Sequence, residues 1–222
     1  MREVILDTET TGLDPDSGHR VVEIGCLELV NHMATGRTFQ RYLNPERDVP
    51  DGAFEVHGLS TEFLAQHPVF SAVCDEFLAF IADSQLVIHN AAFDLGFVNA
   101  ELRRVNRAAL HPSRAVDTVE LARRKFPGAQ ASLDALCRRF GVDNSGRARH
   151  GALLDAELLA EVYLELVGGR QPGLELAAVK TMAAVDSESP VRRPPRPHAP
   201  SAEELAAHAE LLSRLKEPIW RS

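Results

Sequence analysis

Near its start the chain runs Val4-Ile5-Leu6-Asp7-Thr8-Glu9-Thr10-Thr11-Gly12. An apolar run that ends in alternating carboxylates constrains the fold, because it reads as a buried strand whose far end opens into a site. Side chains two apart on a strand share a face, so Asp7 and Glu9 aim at one point from about 7 Å apart along the strand. Two carboxylates aimed together repel unless protons or cations lie between them. Hard oxygen ligands suit Mg²⁺ or Mn²⁺. The plain alternative is a strand end carrying two solvated acids.

At 222 residues the chain has room for one good-sized core plus appendages. Hydrophobic content of 45% and charged content of 25% are those of a soluble globular protein. No apolar run approaches the roughly 20 residues that span a bilayer, so no membrane is expected. The first strand begins almost at the N-terminus, which argues against a secretory signal. Cys26, Cys74 and Cys137 are scattered and odd in number, so neither a zinc site nor a disulfide framework is expected and a reducing cytoplasm fits. The net charge of −8 argues against holding nucleic acid by a broad basic surface. It does not exclude a nuclease, since acids that hold divalent ions become attractive to phosphate. From Gln171 onward 7 Lys+Arg balance 7 Asp+Glu, so the whole net charge lies in residues 1–170.

Residues 1–170 read as a compact α/β unit. Strands are expected at Val4–Asp7, Val21–Val30 and Gly36–Leu43, joined as an antiparallel meander with a turn around Asn31–Thr35. Apolar spacing near 3.6 predicts a helix over Phe70–Ile81, then a short strand at Leu86–His89 and a helix over Phe93–Val105. Ser132 reads as an N-cap and Gly141 as the stop of the helix between them. A long helix is expected from about Gly151 to Val167. Seven of the 13 prolines then lie in residues 171–222; residues 171–200 read as a flexible linker, within which Pro190–Pro200 is a stiff, extended stretch. Residues 201–222 read as a short amphipathic helix, with Leu205, Leu211, Leu212 and Leu215 on its stripe and Trp220 beyond it. An apolar stripe on a tether suggests docking to a partner; folding back on its own domain is the alternative.

Three further positions join the first two acids. Asp94 follows Asn90-Ala91-Ala92-Phe93 just past a strand end. His150 and Asp155 lie in His150-Gly151-Ala152-Leu153-Leu154-Asp155. On one continuous helix these two side chains would splay by about 140°, so they share a site only if His150 sits on the loop before the helix. A mobile loop suits a base that approaches and withdraws.

Asp7-x-Glu9-Thr-Thr-Gly, Asn90-Ala-x-Phe-Asp94 and His150-x-Ala-x-x-Asp155 together resemble the three motifs of the DnaQ-like, DEDDh 3′–5′ exonucleases. The likeness is greater still to the epsilon-type proofreading branch that serves bacterial replicases, and it covers most of residues 1–167. It implies a ribonuclease-H-like α/β fold, a mixed five-stranded sheet flanked by helices with an extended C-terminal tail. The four carboxylates suffice for two divalent cations, Mg²⁺ or Mn²⁺, about 3.5–4 Å apart. His150 is then the general base, its ordinary pKa of about 6.5 lying near working pH. A phosphodiester at a 3′ end is hydrolysed and a 5′-nucleoside monophosphate leaves.

Substrate contacts are expected from Asp7 and Glu9 and from the turn Thr10, Thr11, Gly12 and Leu13. His57, in Val56-His57-Gly58, resembles the family segment near the terminal sugar; a plain turn residue is the alternative. Phe93 either stacks on a base or packs in the core. Asn90 supports the site by hydrogen bonds, Asp117 falls outside the metal-binding set, and His89 reads as structural. Arg147 and Arg149 either meet phosphates or form a solvated loop face. Gln171, Leu174 and Leu176 are similar to the peptide that bacterial replicases insert into the sliding clamp. By the same resemblance residues 201–222 bind the polymerase catalytic subunit, a small accessory subunit is a further possible partner, and the substrate is a single-stranded or frayed 3′ end of DNA. A DEDDh exoribonuclease is the competing reading, and a catalytically silent bridging subunit is a third.

Overall fold

The computed structural model describes residues 1–146, 149–169 and 199–215. The chain divides into two compact units, Met1–Leu174 and Glu175–Ser222. In the first, strands β1 (Arg2–Thr10), β2 (Val21–Val30) and β3 (Met33–Tyr42) form the expected meander. Helices α1 (Asp51–His57), α2 (Thr61–Leu64) and α3 (Phe70–Ile81) follow, then β4 (Gln85–Ile88), α4 (Ala91–Arg104), β5 (Ala115–Asp117), α5 (Thr118–Lys125), α6 (Leu133–Phe140) and α7 (Ala152–Leu166). The sheet has the order β3-β2-β1-β4-β5, with β4 and β5 parallel to β1. This is the mixed five-stranded sheet flanked by helices that the motifs imply.

Strand alternation sorts the core into two layers. Val4 and Leu6 point to one face, with Phe77 of α3 and Val98 of α4. Ile5 points to the other, with Leu136 of α6 and Leu159 and Val162 of α7. β1 sits between an antiparallel and a parallel neighbour, so its end is flanked by helices of both layers.

Boundaries differ from expectation where local chemistry overrides pattern. β1 runs on to Thr10 because Thr8, Glu9 and Thr10 are buried although polar. β3 begins at Met33 because Asn31 and His32 both take positive φ (52° and 64°), which closes a two-residue hairpin whose twist matches the strands. α4 begins at Ala91, behind Asn90 in the left-handed region at φ 68°. Ser132 caps α6 through Ala135 N and Gly141 ends it at φ 70°, as the sequence predicts.

In the second unit, α8 (Ala202–Arg214) starts with a reciprocal capping box between Ser201 and Glu204. Leu205, Leu211 and Leu215 are exposed. Gln171, Leu174, Leu176 and Trp220 lie outside the described residues. Among the described residues no helix is long and apolar enough to cross a membrane.

Candidate active site

Asp7 and Glu9 share the face of Ile5, toward α7. Opposite Asp7 in the sheet stands Gly25. A Cβ there would lie 2.2 Å from the Ala152 carbonyl carbon and 2.3 Å from Leu153 N. Glycine therefore lets the first turn of α7 rest on the sheet beside Asp7. Glu23, opposite Glu9, strengthens the same seat: its Oε2 accepts from Ala152 N at 3.2 Å and its Oε1 from Gln40 Nε2 at 2.7 Å. Asp155, in that first turn, is thus delivered to the end of β1.

Asp94 arrives from the opposite layer. Asp117 accepts from Asn90 N at 3.3 Å and Ala91 N at 3.0 Å, while capping α5 through Val119 N at 2.8 Å. One carboxylate thus pins the entry to α4 and the start of α5. Thr8, pointing to the α4 side, donates its hydroxyl to Asp94 Oδ1 at 2.7 Å.

His150 lies on the loop before α7, as the splay argument requires, with Gly151 at the N-cap. Its backbone N–H donates to Val56 O at 3.1 Å. Its side chain is 48% exposed, and Nδ1 stands 3.3 Å from Asp155 Oδ2. Potential ligand atoms of Glu9, His150 and Asp155 lie within 4.8 Å of one another.

Asp7, Glu9, Asp94, Asp155 and His150 line one cavity of about 330 Å³. Glu9, Asp94 and Asp155 are buried, at 7%, 3% and 3% exposure. Burial pushes the Asp94 carboxyl up to about 7, against the pull of the Thr8 hydroxyl. Burial also raises Glu23, offset by its bonds from Gln40 and Ala152, with the charge of Asp155 adding to the rise. Buried carboxylates converging on one cavity form a donor set of hard oxygens, which fits divalent cations of the Mg²⁺ or Mn²⁺ kind.

A second cavity of about 580 Å³ adjoins the first, sharing Thr8, Glu9 and Phe93 with it. Thr10, Thr11, Gly12, Leu13 and His57 line it as well. Leu13 is 85% exposed, an apolar side chain held in the open. Thr10 Oγ1 donates to Gly12 O at 2.6 Å, which fixes the turn. His57 is buried, and its Nδ1 accepts from Leu59 N at 3.0 Å. Burial holds its imidazole below the ordinary range, partly offset by the Thr10 backbone. Phe93 borders both cavities, and its ring centroid lies 5.0 Å from that of Phe97 in the core.

Asn90 stands elsewhere, on a neighbouring cavity with Asp117 and Ser132. His89 Nδ1 lies 2.9 Å from Thr118 Oγ1 while the ring borders the acids. The Arg149 guanidinium packs over the Phe54 ring at 5.5 Å and against Gly58, and Arg147 lies outside the described residues. Thr8 and Glu23 went unnoticed in the sequence as parts of the site. Glu23 is one of two glutamates in the largely apolar run Val21–Val30, with Glu28 the other, and a charge in such a run was the available signal.

The profile of the exonuclease family matches residues 4–163. The chain is 50% identical over 227 residues to DNA polymerase III subunit epsilon of Rickettsia conorii, covering 99% of each chain. To the subunit of the same name from Escherichia coli it is 41% identical over 238 residues, covering 100% of this chain and 98% of that one. Among solved structures, the nuclease domain of 3′hExo, a DEDDh family member bound to rAMP, superposes with a TM-score of 0.66 at 19% identity, covering 75% of this chain and 91% of that one. Exonuclease X in complex with 5′ overhanging duplex DNA does so with a TM-score of 0.57 at 24% identity, covering 74% and 90%. At such identities these two speak for the fold alone. The match of profile and full-length relatives to a chain that gathers four acids at one strand end establishes membership: the chain belongs to the DNA polymerase III subunit epsilon family of 3′–5′ exonucleases.

Proposed function

We propose that this protein is the proofreading subunit of a replicative DNA polymerase, removing mispaired 3′-terminal nucleotides as 5′-monophosphates in the bacterial cytoplasm. The observation that carries the reading is the adjacency of the cavity holding the four carboxylates and His150 to the one lined by Thr10–Leu13 and His57. Asp7, Glu9, Asp94 and Asp155 would hold two divalent cations. When bound, such a pair acidifies a water and neutralises charge growing on the phosphate and the departing 3′ oxygen.

The chain's own residues do the rest. His150 takes the proton of the attacking water, and its half-exposed position on a loop lets it hand that proton to solvent. Asp155 orients the imidazole. Thr10, Thr11, Gly12 and Leu13 hold the terminal nucleotide by backbone and apolar contact, with Phe93 at its edge, and His57 meets the terminal sugar. A mismatched end frays more cheaply than a matched one and so reaches this pocket more often. The pocket need not tell which base is wrong.

Residues 1–170 act as the nuclease and residues 171–200 as a tether. Residues 201–222 dock on the polymerase catalytic subunit through Leu205, Leu211, Leu212, Leu215 and Trp220. The exposed leucines of α8 support this. Gln171, Leu174 and Leu176 would enter the sliding clamp, and a small accessory subunit would bind the nuclease domain. A tether keeps the nuclease at high effective concentration near the primer end.

The test is degradation of paired and mispaired primers with Mg²⁺, with Mn²⁺ and with a chelator. Faster loss of the mispaired end, abolished by chelator and by Asp7→Ala, is expected. Preference for a short RNA would favour the exoribonuclease reading instead. One observation favours a second role for His150: its closeness to Glu9 and Asp155 makes it a possible cation ligand. His150→Gln separates the two. A base variant loses about 10²–10⁴-fold in rate with Mn²⁺ affinity retained, whereas a ligand variant also binds Mn²⁺ more weakly in titration calorimetry.

A further inference from the structure

We infer that the strand upstream of the scissile bond is held in a basic trough along α5 and α6, with Arg123, Arg138 and Arg139 as its phosphate ligands; this rests on the exonuclease reading above. Three cavities connect to the acid cavity, one at one edge and two in series beyond another. Thr8, Glu9 and Phe93 join it to the terminal-nucleotide cavity. At a different edge, His89 and Ser132 join it to a cavity of about 730 Å³ that includes Asn90, Gln130 and Arg123. Ala129 and Gln130 join that one to a cavity of about 520 Å³ walled by Arg138 and Arg139. A strand whose last nucleotide fills the terminal-nucleotide cavity, with its scissile phosphate over the acids, leaves past His89 and Ser132 into this trough.

Charge points the same way. Residues 118–140 carry Arg123, Arg124, Lys125, Arg138 and Arg139 against Glu120 and Asp134, a local excess of positive charge in a chain of net −8. Elsewhere among the described residues, every arginine but Arg149 is held by a carboxylate or a backbone carbonyl, as Arg20 is by Glu101 and Arg114 by Ala82 and Ser84. Arg123, Arg124 and Arg138 have no hydrogen bond or ion pair among the described residues, and Arg139 lies over the Phe126 ring at 4.5 Å. Lys125 is spent on the carbonyls of Glu165 and Leu166 at the end of α7. An arginine already paired must surrender a partner to take a phosphate; these need not. Of the acids on the trough wall, Asp117 is engaged by four backbone N–H groups, which leaves Glu120 as the open one. A planar guanidinium matches a phosphodiester by two parallel hydrogen bonds. Asn90 thereby takes a place beside the upstream strand, away from the terminal nucleotide.

The experiment measures 3′ hydrolysis by the full-length chain on single-stranded oligodeoxynucleotides, from a dinucleotide to an octanucleotide, over a range of salt. In the unaltered protein kcat/KM rises with strand length and falls with salt. In R123A/R138A/R139A the gain with length is lost, by roughly 10-fold or more on the octanucleotide at low salt. The slope of log rate against log salt becomes shallower by about 0.7 for each arginine that meets a phosphate, about 2 in all. R123K/R138K/R139K, which keeps the charges, recovers the slope and part of the rate. An alanine variant that keeps both the length dependence and the slope overturns the inference, even if it has lost a protein partner on this face. A flat length dependence in the unaltered protein overturns it too. Absence of any hydrolysis by the unaltered protein, with cation present, sinks the exonuclease reading and this inference with it.

Discussion

Asp94 is nearly enclosed, and the fold favours its protonated form, with the carboxyl raised from 3.8 to about 7. The sign of the pH effect follows. A raised pKa contributes stability that is complete below the unfolded value and is lost as pH rises through the folded one. Metal-free protein should therefore weaken between about pH 4 and pH 7 on account of this residue. Asp94→Asn keeps the oxygen that accepts from Thr8 and removes the charge. It should be more stable than the parent at pH 8 without cation, by on the order of 4 kcal/mol at most, and no more stable at pH 4. It should also be inactive. Chelator-treated thermal melts at the two pH values check the first expectation, and a primer assay checks the second. Not all of this was legible beforehand. Asp7, Glu9 and Asp94 stood out because carboxylates follow apolar runs at strand ends, and His150 and Asp155 because together they complete a third motif behind a polar loop. Thr8 did not, because a threonine between two acids has no pattern of its own; only the side-chain alternation of a strand wedged between two helical layers gives it a role.

At the level of elements, Val21–Val30 and Phe70–Ile81 were read to the residue: the helix buries one face at its own period, and the strand, internal to the sheet and buried over nearly its whole length, shows as a largely apolar run. α1, α2, β5 and α5 were not read at all. They span seven, four, three and eight residues, too few for a period to emerge. The seat of α7 was hidden for another reason: Gly25 and Glu23 look like a weak point and a stray charge in a strand. Their work appears only when Ala152 comes down on them. Gly25→Ala should lift the start of α7 and carry Asp155 away from β1. A loss of about 1–3 kcal/mol is expected from such overpacking, together with a drop in kcat of more than about 10-fold. Glu23→Ala leaves the Ala152 N–H without its acceptor and should cost a similar 1–3 kcal/mol or so. Urea unfolding and steady-state rates on one oligonucleotide measure both.

On the scale of the whole molecule, the division at Leu174 separates the chemistry from α8. A chain ending at residue 174 should retain full kcat on free single strands and lose co-elution with the polymerase catalytic subunit. Full-length protein carrying Leu211→Glu and Leu215→Glu should behave the same way. Gel filtration of mixtures and a single-strand assay read the two outcomes. The proline content after Gln171 is what suggested a separate tail in the sequence. The trough on α5 and α6 was not readable: its arginines are 15 and 16 residues apart in sequence and meet only across the loop at Ala129 and Gln130.

The backbone of His150 hangs from the carbonyl of Val56, and Val56 is itself part of the wall of the cavity proposed above for the terminal base. Imidazole-bearing loop and cavity wall are therefore tethered by one short strut. If His150 is the base proposed above, a guest that wedges the wall outward drags the imidazole off station, and a badly seated end stalls instead of being cut in the wrong place.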